Sequence, residues 1–193
     1  HFDVTFNSPA FGTTCGGFTY VGQSFSYATA PVMTVIARNS AALGNATTRN
    51  YTGASWWKLS NSTLTYPGGT ARGYAAFSGT LDTSGLPATD PVVVDSGGGA
   101  SGSGTLTFGN SLRFTRATPV PPFNAEIVLS INVIDADGIA YAANPAAFGA
   151  ATAGNGITFG AGGKEMRFGR LRMFNAHGSQ LLALPIACET QYW

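Results

Sequence analysis

Two aspartates separated by one residue are the best candidates for metal binding in this sequence. Asp135 and Asp137 stand in the run Asp-Ala-Asp-Gly, which ends at Gly138. Ca²⁺ takes several oxygen ligands, and two carboxylates together with the carbonyls of a glycine turn would begin such a site. The rest of an EF-hand pattern is absent. Aspartate side chains also favour turns for local reasons, so a structural turn without a metal is the favoured interpretation.

Catalytic arrangements have weaker support. His177 and Ser179 lie two residues apart, but a serine nucleophile also needs an orienting group and an oxyanion hole, and no Gly-x-Ser-x-Gly elbow is present. Glycoside hydrolysis needs two carboxylates that face each other across a cleft. The chain has only nine acidic residues, and most fall in predicted loops or at strand ends. We therefore expect no catalytic residues and no enzymatic activity.

Aromatic residues are densest in one stretch of the first half of the chain. Tyr51, Trp56, Trp57 and Tyr66 lie within it. The adjacent tryptophans must point to opposite faces of a strand, so one is expected in the core and the other near the surface. An exposed tryptophan could stack on a sugar ring or fill a partner's pocket. The alternative is that loops cover both rings.

The two cysteines, Cys15 and Cys188, lie near opposite ends of the chain. A single pair in an otherwise cysteine-free chain predicts one disulfide formed in an oxidising compartment. Two buried thiols are the alternative. Neither a Cys-x-x-Cys motif nor a Cys/His cluster points to metal or redox use.

The composition excludes several classes of protein. Charged residues are 10% of the 193-residue chain and the net charge is +1, whereas an average soluble domain has roughly 25% charged residues. So few basic residues do not predict nucleic-acid binding. No apolar run is long enough to span a membrane. A weakly charged surface does little to keep copies of the chain apart.

The hydrophobic pattern predicts β-strands throughout. Apolar residues alternate with polar ones, and turn residues interrupt them about every ten positions. The clearest strand is Phe123–Ile134, in which Ile127, Leu129, Ile131 and Val133 share one face. In Glu165–Phe174, a bulge at Gly169 would bring four apolar side chains onto one face. We predict an all-β fold, with an antiparallel β-sandwich as the favoured architecture.

The Gly/Ser-rich stretch 95–104 predicts a loop or linker. It would divide the chain into a first lobe, 1–94, and a second lobe, 105–193, tied together by the disulfide. A single continuous domain, 1–193, is the alternative. Phe2, Val4 and Phe6 form an apolar N-terminal strand, which would either pair within its own domain or be donated to the sheet edge of a neighbouring copy.

Four stretches, in order along the chain, resemble the MSHA pilus biogenesis protein MshQ family, in its β-rich C-terminal region. They are Val35–Tyr51, Phe114–Glu126, Ile134–Gly138 and Lys164–Trp193. The last is the most similar, although Gln180 stands where the family has an acidic residue. The resemblance implies a type IV pilus-associated surface protein of a Gram-negative bacterium, and it implies no catalytic residues.

These observations together predict an extracellular, non-catalytic structural subunit or module of a cell-surface appendage. Its partners would be copies of itself or other pilus and surface proteins. The alternative is a carbohydrate-binding adhesin module that uses the surface aromatics and a Ca²⁺ turn. Apart from that Ca²⁺, no cofactor is expected.

Overall fold

The computed structural model describes residues 1–12, 16–67, 71–96, 101–109, 111–149, 154, 156–157 and 165–192. Within these ranges the chain is built of strands, turns and short 3-10 segments, without an α-helix. The 3-10 segments are Ala41–Leu43, Asn61–Thr63 and Ala71–Gly73. The strands are β1 (Phe2–Phe6), β2 (Ala10–Phe11), β3 (Phe18–Tyr20), β4 (Tyr27–Thr29), β5 (Val32–Ala37), β6 (Tyr74–Ala76), β7 (Leu81–Asp82), β8 (Val92–Asp95), β9 (Ser103–Thr107), β10 (Arg113–Phe114), β11 (Phe123–Asn124), β12 (Ile127–Ile131), β13 (Ala146–Phe148), β14 (Glu165–Arg167), β15 (Gly169–Met173) and β16 (Cys188–Tyr192).

The largest sheet has four antiparallel strands in the order β1-β5-β9-β8. Its central strand β5 alternates strictly between buried and half-buried residues, with Met33, Val35 and Ala37 facing inward. This is the period of two that a strand with one covered face requires. Leu106 of β9 continues the same buried surface.

A second sheet, in the order β13-β12-β6, supplies the other side of the core. Ile127, Leu129, Ile131 and Val133 are fully buried, which confirms the face that the alternation predicts. The phenyl ring of Phe148 in β13 lies edge-on to Phe6 of the first sheet and to Phe108, at centroid distances of 5.2 and 5.9 Å. The two sheets therefore share one hydrophobic core, and the all-β prediction is confirmed as a β-sandwich-like arrangement.

The described strands also form four further sheets. One has the order β11-β14-β3, in which β14 and β3 run parallel. The other three are antiparallel pairs, β10–β7, β2–β4 and β15–β16. The described residues therefore form several sheets, and the parallel pairing of β14 with β3 is not predicted by the strand pattern alone.

The stretch predicted as a linker, 95–104, lies partly outside the described residues. The strands beside it, β8 and β9, pair with each other, and β9 also pairs with β5. Strands from both sides of the stretch thus belong to one sheet.

The N-terminal strand is paired within its own domain. β1 is antiparallel to β5 over its whole length, with Phe2 opposite Ala37 and Phe6 opposite Met33. Phe2 and Val4 are buried in the core and Phe6 is partly exposed. Of the two alternatives for this strand, the structure shows intramolecular pairing.

The predicted disulfide is not supported. Cys188 is exposed and carries a free thiol, while Cys15 lies outside the described residues. Cys188 begins β16 and stands opposite Met173 of β15. The expectation rested on there being a single cysteine pair, which does not say where the fold places either thiol.

Candidate interaction surfaces

One candidate site is a cleft beside the exposed indole of Trp56, which we call the Trp56 cleft. It has a volume of about 270 Å³. Trp56 is 65% exposed, so the face of its ring is open to a ligand. The residues lining the cleft are Thr48, Asn50, Tyr51, Ser55, Trp56, Lys58 and Asp137.

The loop that carries Trp56 is fixed to the core by Tyr51. The hydroxyl of Tyr51 donates a 2.8 Å hydrogen bond to Oδ2 of Asp135 and accepts one of 3.3 Å from the backbone N–H of Lys58. The Tyr51 ring packs edge-on to Phe2 and against Trp57. Burial, and then the hydrogen bond to Asp135, raise the pKa of Tyr51 well above its ordinary value. Tyr51 is therefore a neutral anchor at the base of the cleft.

A second anchor holds the turn just before Trp56. The carboxylate of Asp95 accepts hydrogen bonds from the Thr52 hydroxyl and from the Gly53 N–H, the latter at 2.6 Å. The Gly53 carbonyl accepts from the N–H groups of both Trp56 and Trp57. Gly53 has a φ of 76°, a conformation that suits glycine. The tryptophans thus lie on a turn, although the alternation predicts a strand.

The predicted calcium turn is closed by its own hydrogen bonds. Oδ1 of Asp135 accepts from the N–H groups of Asp137 and Ile139 at 3.0 and 2.8 Å, and Oδ2 accepts from Tyr51. Across the described part of the chain, no three His, Cys, Asp or Glu side chains are grouped to hold a metal. Asp135 is buried as the centre of the turn, and Asp137 faces the cleft.

The four predicted aromatic residues do not form one surface. Tyr51 and Trp56 line the Trp56 cleft, whereas Trp57 lines a separate cavity of about 520 Å³. Trp57 and Tyr66 are half-buried against the core. The structure confirms that one tryptophan is exposed and the other packed, and it assigns the exposed position to Trp56.

The C-terminal hairpin presents a second candidate site, an apolar surface that we call the hairpin surface. It consists of exposed large side chains on β15, on β16 and in the loop between them. Leu181 and Leu182 are the most open, at 84% and 77% exposure. Its members are Leu171, Met173, Phe174, Leu181, Leu182, Leu184, Ile186 and Tyr192.

The hairpin surface was missed by the sequence analysis because the predicted bulge at Gly169 does not form. Met166 and Phe168 are buried, but Leu171 and Met173 are each 62% exposed. The strand leaves the core at Gly169, where an added Cβ would lie 2.7 Å from the Tyr20 ring. Beyond this point β15 pairs only with β16 among the described strands. The apolar run Leu181–Pro185 in the loop was the available signal.

Two ion pairs lie at and near the hairpin. The Arg167 guanidinium lies 2.6 Å from Glu165, and Arg172 lies 3.7 Å from Glu189. Arg167 also stacks on the rings of Phe18 and Tyr192. These contacts hold the root of the hairpin in place, and they pair Arg167 and Arg172 with carboxylates.

No helix in the described residues is long and apolar enough to cross a membrane. The described residues form an all-β, β-sandwich-like module with two exposed candidate surfaces. Residues 1–156 match the family model DUF6701, third domain, and the chain belongs to that family of uncharacterised domains. No curated protein and no solved structure matches the chain.

Proposed function

We propose that this protein is a non-catalytic structural module of an extracellular, pilus-associated surface assembly, and that it associates with copies of itself through the hairpin surface. The observation that carries the proposal is the concentration of exposed leucine, isoleucine and aromatic side chains on one hairpin. Large apolar patches are rare on the surface of soluble monomers, and where they occur they mark interaction sites.

The hairpin needs a partner for its own stability. A two-stranded ribbon is marginal in water unless its apolar face packs on something. β15 and β16 pair over five residues, and Tyr192 near the root contacts Phe18 at a centroid distance of 6.2 Å. Arg116 donates a hydrogen bond to the Gly169 carbonyl. These contacts hold the root, while Leu181 and Leu182 extend into solvent.

The available area matches what one copy must contribute to a stable dimer. Aromatic side chains bury roughly 150–250 Å² when fully covered, and aliphatic ones bury less, so these eight partly exposed side chains would bury on the order of 100 Å² each. The total of about 800 Å² is the contribution of one partner to a standard interface. A second hairpin could supply the same area and pair along a strand edge.

Charge and family membership support the same proposal. Only 10% of the residues are charged. The strands of the hairpin carry Arg170, Arg172 and Glu189, of which Arg172 lies 3.7 Å from Glu189. With so few charges, two copies would approach without strong repulsion. The description of the family as a third domain fits a module of a multi-domain protein. The MshQ resemblance adds the extracellular, Gram-negative setting.

Light scattering and negative-stain microscopy on the purified chain test the proposal. We expect concentration-dependent dimers or fibres that a Leu181→Asp, Leu182→Asp double variant abolishes. Leu43→Asp is the matched control, because Leu43 is 70% exposed and lies outside the hairpin, and it should leave assembly unchanged. A strictly monomeric parent chain, or equal loss in both variants, would overturn the proposal.

A further inference from the structure

The Trp56 cleft combines an open aromatic face with polar groups of both kinds. Asn50 can donate and accept hydrogen bonds, Lys58 donates, and Asp137 accepts. Within the described residues, no hydrogen bond or ion pair inside the protein uses the side chains of Lys58 and Asp137. A sugar ring has the matching chemistry, because its C–H face stacks on an indole and its hydroxyls both donate and accept.

The cleft is formed before any ligand arrives. Tyr51 joins the Trp56 loop to the Asp135 turn at 2.8 Å, and the Ala136 N–H donates to the Lys58 carbonyl at 3.2 Å. Asp95 holds the other end of the loop through Gly53. Because these bonds already order the loop, a ligand would bind without a large entropic cost.

We propose that the Trp56 cleft is a binding site for carbohydrate, in which one neutral pyranose ring stacks on Trp56 and its hydroxyls bond Asn50, Lys58 and Asp137. The volume of about 270 Å³ is just below the roughly 300–1,000 Å³ of ligand pockets, which suits a small ligand such as a single ring. The opposite charges of Lys58 and Asp137 balance, which favours a neutral sugar. The proposed contacts use no metal, because both carboxylate oxygens of Asp135 already accept hydrogen bonds, Oδ1 from its own turn and Oδ2 from Tyr51.

A glycan array followed by isothermal titration calorimetry would test this site. The probes for calorimetry are the methyl glycosides of glucose, galactose, mannose, N-acetylglucosamine and N-acetylgalactosamine. We expect saturable binding of at least one of them, and at least a tenfold loss of affinity in Trp56→Ala, as for an anchoring aromatic residue. Trp56→Phe should recover part of that loss, and Asp137→Asn should weaken binding without changing the melting temperature.

Phe77→Ala is the matched control. Phe77 is also an exposed aromatic, at 55%, and lies outside the cleft, so its loss should not change sugar affinity. If no probe saturates on the array or in the calorimeter, or if Trp56→Ala binds as the parent does, the proposal is wrong. Loss of binding in a chelator would also overturn it, since the ring contacts proposed here need no metal.

Discussion

Tyr51 and Asp135 are 84 positions apart in the chain and meet in a 2.8 Å hydrogen bond at the base of the Trp56 cleft. Asp135 is buried, with only 4% of its surface exposed. Its Oδ1 atom closes the turn by accepting hydrogen bonds from the N–H groups of Asp137 and Ile139, and Oδ2 accepts a hydrogen bond from the Tyr51 hydroxyl. One carboxylate therefore shapes both walls of the cleft, which couples the stability of the fold to the geometry of the site.

Removing that hydroxyl should destabilise the protein. Tyr51→Phe leaves Oδ2 of a buried carboxylate without its donor, which costs about 1–3 kcal/mol. Urea unfolding would measure the loss. Tyr192→Phe is the control, because Tyr192 is 53% exposed on the hairpin, and its stability should stay close to that of the parent. Similar stability of both variants would show that the hydrogen bond from Tyr51 to Asp135 does not stabilise the fold.

Gly104 is a position that should not accept a larger residue. A Cβ there would overlap the Trp57 indole and would lie 2.5 Å from the Val94 carbonyl oxygen. Gly104→Ala should therefore cost about 1–3 kcal/mol, as overpacking does. In Gly12→Ala the nearest atom to the new Cβ is 3.6 Å away, so this variant should fold almost as stably in the same urea titration. Equal stability of the two would contradict the packing of Trp57 on Gly104.

Asp90 should make stability depend on pH. It is buried next to Gly109, whose N–H donates to Oδ1, and burial raises the pKa of Asp90 above its ordinary value of 3.8. Its contribution to stability is then fully present below pH 3.8 and is lost as pH rises through the folded pKa. Asp90→Asn cannot ionise, so its stability relative to the parent should improve from acid to neutral pH.

Asp82 is the control for these measurements, because its pKa is shifted in the opposite direction and its effect on stability should therefore have the opposite pH dependence. Hydrogen bonds from Ser84 and Arg113 lower the pKa of Asp82 to about 2. The stability that Asp82 contributes is present above its unfolded pKa and is lost as pH falls through about 2. Thermal melts should therefore show Asp82→Asn losing stability relative to the parent as pH rises from acid to neutral. Parallel curves for the two variants would contradict the burial of Asp90.

Cys188 should react in the folded, non-reduced protein. Its thiol is exposed at the start of β16, so a maleimide should label this residue completely without a reducing agent. Peptide mapping by mass spectrometry would locate the label. Protection of Cys188 until a reductant is added would show that the thiol is oxidised, and would contradict the structure.

Sequence patterns predicted the local features of this fold. The alternation in β12 assigns Ile127, Leu129 and Ile131 to the core because side chains in a strand alternate between faces. The Asp-Ala-Asp-Gly run predicts a turn because aspartate bonds its own backbone. The adjacent tryptophans were expected to differ in burial, and they do. The positions of Trp56 and Tyr51 beside Asp137 could not be predicted, since no local pattern relates them.

By itself, the sequence determined an all-β chain, the inward face of its best strand, the turn at Asp135 and the weak charge of the surface. The tertiary structure decided which strands pair, so that β5 and β9 belong to one sheet and the N-terminal strand stays in its own domain. It also left Cys188 exposed and Leu171 and Met173 outside the core. The physical reason is that periodicity specifies which side chains share a face, whereas contacts between distant segments depend on how the whole chain packs.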